Sequence, residues 1–216
     1  MMMIAKNFLL HAALLVTFLA PVPVAQAGTT VTVYTDKQIE ELAARAAKLE
    51  YMTFGGRNMS REERQALGLE IPMTNLRPYI GVSDKVIEQN AEAGDYAAMW
   101  IMFQKKAAAN DLDGAALIAR EAIIIHEIPF LADLLAGYHM DVRSDPAEAI
   151  KWVTLAARFM PDYPMYYTNF LNFLGTRLSA GQVISAEQWA DGEIKVLEAQ
   201  RRRRFGSEFT RIRDHE

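Results

Sequence analysis

The sequence predicts an all-α fold, a short α-solenoid of antiparallel helix pairs. Three observations point to it. Apolar residues recur at helical spacing from Ser83 nearly to the end, interrupted by short polar or proline-bearing breaks. Sliding the chain by 34 residues lays several of those breaks, and the side chains between them, on one another. The one strand-like stretch, Thr29–Thr35, has Val31 and Val33 alternating with threonine but no visible partner, so it reads as a disordered leader.

The N-terminal segment carries an address. Lys6 supplies positive charge, Phe8–Ala20 is almost wholly apolar, Pro21 and Pro23 break the run, and Ala25-Gln26-Ala27 offers small residues before Gly28. That order predicts a secretory signal peptide over 1–27, cleaved after Ala27, and a periplasmic or secreted protein. The alternative is an uncleaved inner-membrane anchor, for which Phe8–Val24 is marginal against the about 20 residues a spanning helix needs. The chain has no cysteine, which excludes both lipid attachment at a cysteine and a disulfide scaffold, so stability rests on the core.

The remaining elements follow in order. Residues 28–82 read as an irregular, partly helical region. In it Thr35 and Gln38 form a capping box ahead of the stripe Ile39, Leu42, Ala43, Ala46 and Leu49. Ser60 and Glu63 form a second box whose helix Gly68 ends, between loops at 51–59 and 68–81. Residues 83–200 read as the helical repeat domain, with breaks near Gly94, Asn110–Asp113, Pro129, Val142–Asp145, Pro161–Pro164 and Ser179–Ser185; a box at Ser185 and Gln188 opens the last helix. Residues 201–216 read as a basic C-terminal tail.

In the 34-residue register Tyr96 falls on Phe130, Ala98 on Ala132, Trp100 on Leu134, Ile101 on Leu135, Asp111 on Asp145, Ala115 on Ala149, Ile118 on Trp152 and Ala122 on Ala156. Size classes match, and each aspartate stands where a second helix needs an N-cap, with Pro146 at the first position of the later one. The run from Asp145 through Ala149 and Trp152 to Ala156-Ala157, with Leu134-Leu135-Ala136-Gly137-Tyr138 upstream, resembles a Sel1-like repeat. The spacing of Gly137, Ala149, Ala156 and Pro161 is also similar to the tetratricopeptide repeat. The resemblance is best over 128–161, weaker over 94–127 and faint over 162–195. Met140-Asp141-Val142-Arg143 stands where the Sel1-like pattern has a glycine-rich loop, and 28–82 resembles neither family. A non-repeating helical bundle is the competing architecture.

Charge and chemistry narrow the function classes. The net charge of −4 argues against nucleic acid as a general partner. The C-terminal tail carries +3 while 28–200 carries −8. The chain has no nucleophile elbow, and His126-Glu127 is not followed by a second histidine one turn on. His126 is expected to bond a last-turn carbonyl at a helix end, with His139 similar. Gly55-Gly56-Arg57-Asn58 reads as a surface turn rather than an anion cradle, and Asn58-Met59-Ser60 matches a glycosylation acceptor only where that machinery exists. Adjacent acids such as Glu40-Glu41 diverge on a helix and read as a solvated face. No catalytic, cofactor or metal residue is assigned.

Two candidate contact surfaces remain. The register places Trp100, Leu134 and Thr168 in one column of the first helices and Gln104, Tyr138 and Asn172 in the next. With Tyr167, the residues Trp100, Gln104, Tyr138 and Asn172 form the candidate partner-binding set, although Trp100 and Leu134 also suit a core. Trp152 is assigned to packing between helix pairs. Arg201, Arg202, Arg203 and Arg204 are the densest charge, too many for helix-dipole pairing alone. They form a candidate contact for anionic lipid, cell-wall polymer or an acidic protein, with Phe205 and Phe209 as an apolar foothold. What the resemblance implies is a non-enzymatic adaptor or scaffold for a protein partner in envelope assembly, secretion or signalling. The rivals are a regulatory subunit restraining a membrane sensor and a helical enzyme acting on cell-wall polymer.

Overall fold

The computed structural model describes residues 22–26, 29–53, 71, 73–160, 165–174 and 177–210. The signal segment up to Pro21, the Ser60/Glu63 helix, the Gly55-Gly56 turn, Pro161–Pro164 and His215 lie outside the described residues. The fold is all-α, preceded by a two-stranded hairpin. Strand β1 (Val22–Gln26) pairs antiparallel with β2 (Thr29–Val33), Val22 opposite Val33 and Gln26 opposite Thr29. This corrects the reading of Thr29–Thr35 as a leader without a partner: the partner lies inside the stretch assigned to the signal peptide. Val33 also bridges to Ser83, which fastens the hairpin to the helical body.

Helix α1 (Asp36–Thr53) opens on the expected box. The Thr35 amide donates to Gln38 Oε1 at 3.0 Å and the Gln38 amide donates to Thr35 Oγ1 at 3.3 Å. The short α2 (Met73–Leu76) and a 3-10 turn (Arg77–Tyr79) follow. Next come α3 (Asp84–Glu92), α4 (Tyr96–Ala108), α5 (Leu112–His126), α6 (Phe130–Asp141), α7 (Pro146–Arg158), α8 (Met165–Leu174) and α9 (Ala180–Phe205). Short connections turn α5 back along α4 and α7 back along α6.

The turns repeat with the predicted period. Asp111 and Asp145 cap α5 and α7, accepting from the amides of Gly114 at 2.9 Å and Glu148 at 3.0 Å. Asn110 and Ser144, the residue before each cap, both take left-handed backbone, with φ of 62° and 53°. The third cap is Ser179, which forms a reciprocal box with Gln182 and opens α9. The predicted box at Ser185 and Gln188 is therefore wrong: both residues lie inside α9. The same helix runs through Phe205, so the predicted tail is in part the end of a 26-residue helix.

The core forms around α6, where every residue from Phe130 to Tyr138 is buried. A helix buried on all sides needs neighbours on all sides. Here α7, α5, α4 and the N-terminal α1 supply them. Alanine and glycine (Ala132, Ala136, Gly137) keep that crowding sterically possible. Helix α9 lies across both α5 and α7, and Trp152 meets Trp189 edge-on at 5.2 Å between ring centres. Arg120 sits over the Trp152 ring at 5.0 Å and pairs with Glu193, closing the same seam.

Candidate functional site

The 34-residue register brings Gln104 and Tyr138 together, but not at a surface. The Tyr138 hydroxyl donates to Gln104 Oε1 at 2.7 Å. Both side chains are fully buried and Trp100, one turn before Gln104, is 2% exposed. Helix α1 covers α6, while α2 lies against α1 and α4. Trp100, Gln104 and Tyr138 are therefore core residues, not accessible partner contacts. The sequence register identified the column without showing that the N-terminal region fills it. Tyr167 is half-buried on α8, and burial raises its hydroxyl pKa. Asn172 is exposed, five positions on and on another side of the same helix.

The arginine cluster is corrected in the same way. Arg201 is turned inward: it meets Glu127 at 2.8 Å and donates to the Ile124 carbonyl at 2.6 Å. Its guanidinium also lies against the rings of Phe205 and Phe209. Arg204 pairs with Glu121 at 2.7 Å, and Arg202 with Glu198 and Glu208. Arg203 bonds the Ala199 carbonyl of its own helix. The predicted foothold Phe209 stacks edge-on against Phe159. Most of this positive charge serves the chain's own acids. Glu127 itself holds left-handed backbone at the end of α5 and also receives the Thr210 amide and hydroxyl.

The histidines sit at turns. His126 Nε2 lies 2.8 Å from the Gly94 carbonyl, with Tyr96 edge-on to its ring. Its partner is thus the turn between α3 and α4 rather than the last-turn carbonyl expected. Burial lowers the His139 pKa, against the opposing pull of Glu148 and Asp145. His139 lines a polar hollow of about 350 Å³ with Asp111, Asp113, Asp145 and Arg143. Lys106 holds Asp111 at 2.9 Å and, with the Gly114 amide, pushes its pKa down. Among the described residues no group of His, Asp and Glu gathers as a metal site.

A second hollow, of about 280 Å³, lies between α3, α4 and α5. Met99 and Met102 from α4 and Leu117 and Ile118 from α5 give it an apolar floor. Glu88 and Glu92 from α3 and Glu121 from α5 stand around it, with Lys106 as the one lining cation. Leu117 is 63% exposed there. This hollow carried no motif, and only the packing of three helices assembles it. The signal that could have found it is the i, i+4 repeat of Glu88 and Glu92 beside a helix bearing an out-of-register leucine. No helix among the described residues is long and apolar enough to cross a membrane. No family model, curated protein or solved structure matches the chain.

Proposed function

We propose that the chain is a non-enzymatic adaptor, exported to the periplasm, that holds a protein partner on the faces of stacked helix pairs in envelope assembly, secretion or signalling. The observation that carries the reading is the recurrence of one turn: caps at Asp111, Asp145 and Ser179, each thirty-four residues after the last, with left-handed Asn110 and Ser144 before the first two. Equal helix pairs set side by side make an extended surface whose contacts come from successive units. The Sel1-like resemblance of 128–161 supports the same reading, and the solenoid arrangement belongs to this proposal. Export rests on the apolar leader and on the small residues before Gly28. Cleavage after Ala27 falls between β1 and β2, leaving β2 attached to the body.

The test is crosslinking in the chain's own host, with a tag at the C-terminus. Recovery of one protein in stoichiometric amount from the envelope fraction, with Gly28 as the first residue of the recovered chain, is the expected result. A chain found intact in the cytosol, or crosslinked to nothing above background, removes the reading.

A further inference from the structure

We propose that the hollow between α3, α4 and α5 is a docking groove for a cationic amphipathic helix of a partner protein. The inference rests on the adaptor reading and gives it a surface and a partner chemistry. The floor is soft and apolar: Met99 and Met102 are buried beneath it, and thioether side chains repack around different anchors. Leu117 beside them is the most exposed of the large hydrophobic side chains among the described residues. The volume of about 280 Å³ falls below the range of ~300–1,000 Å³ typical of small-molecule pockets. It suits one or two large apolar side chains arriving from a helix.

The rim specifies the charge of that helix. Glu88 and Glu92 stand one turn apart on α3, both exposed, where like charges repel one another. Glu121 faces them from α5 and already takes a guanidinium, that of Arg204. Lys106, the lining cation, is drawn to Asp111 and offers little neutralisation. Glu88 and Glu92 over an apolar floor disfavour anionic lipid and nucleic acid alike. They complement a helix that places leucine or phenylalanine anchors on one face with lysine or arginine beside them. The −8 charge of residues 28–200 steers the same partner from a distance.

The experiment uses the full chain and a fluorophore-labelled synthetic helix of leucine and lysine, read by anisotropy at low and physiological salt. Its controls are the same helix with glutamate for lysine and a scrambled peptide of equal composition. The leucine–lysine helix is expected to bind, more weakly as salt rises, while both controls fail. The exposed-site variants Leu117→Asp and Glu88→Lys/Glu92→Lys, shown folded by circular dichroism, are each expected to weaken binding about ten-fold or more. Equal binding to wild type and variants, equal binding of the scrambled helix, or no binding overturns the groove. Crosslinking in the host separates the two readings. If the variants capture the same partner as wild type, the adaptor stands and this groove is not its site; if wild type captures nothing while the helix binds, the adaptor reading alone falls.

Discussion

Gln104 is a fully buried amide whose oxygen accepts from Tyr138 while its nitrogen meets no acceptor on the protein. Such a group makes its one bond expensive to lose. Tyr138→Phe is expected to lower stability by about 1–3 kcal/mol, whereas pairing it with Gln104→Leu recovers most of that cost, because both ends of the bond are then apolar. Urea unfolding of the four proteins in the cycle reads the coupling. His139 gives a pH dependence. Its folded pKa lies below the ordinary 6.5, chiefly through burial, so the unfolded chain binds the proton more readily. The contribution is complete above the ordinary value and is lost as pH falls through the lower, folded one. Stability should therefore drop as pH falls from neutral into the acid range, and His139→Gln should flatten part of that slope in urea midpoints.

Helix boundaries were readable at most of the positions where a side chain closes its own cap. The Thr35/Gln38 box, Asp111 and Asp145 each bond an amide three residues on, and that chemistry is local enough to see in the sequence. The start of α9 was misread because Ser179-Ala-Gly-Gln182 and Ser185-Ala-Glu-Gln188 spell the same box twice. The 34-residue spacing from Asp145 points to Ser179, a stronger constraint than either box alone. The strand partner of Thr29–Val33 was hidden because its residues had a second reading as a cleavage region. At this scale the turn before α7 is open to improvement. Ser144 holds left-handed backbone, which costs a side-chain-bearing residue roughly 1–2 kcal/mol, so Ser144→Gly is expected to stabilise by about 0.5–1 kcal/mol. Asp145→Ala, one residue on, should cost about 0.5–2 kcal/mol through the lost cap. Thermal melts of the two variants should move in opposite directions.

Across the whole molecule the helix class and the period were legible, and the accessible surface was not. Periodicity tells which residues share a column, but coverage depends on what packs over it. Here α1, from a region resembling neither repeat family, lies on α6 and turns a predicted contact column into core. Arg201 shows the same limit for charge: four consecutive arginines suggested a free basic surface, yet the first is only 14% exposed in its side chain and faces Glu127, itself 8% exposed. Arg201→Ala takes the cation away from that carboxylate, which keeps its Thr210 donors, and should lower stability by about 3 kcal/mol, measured by denaturant unfolding.

The same guanidinium satisfies the Ile124 carbonyl at the end of α5 from a position 77 residues later in the chain. The middle of the body is thus fastened only once the final stretch of the chain is in place. Translation halted just before Arg201 should leave a product that trypsin clips readily near α5, whereas the finished protein resists at that point.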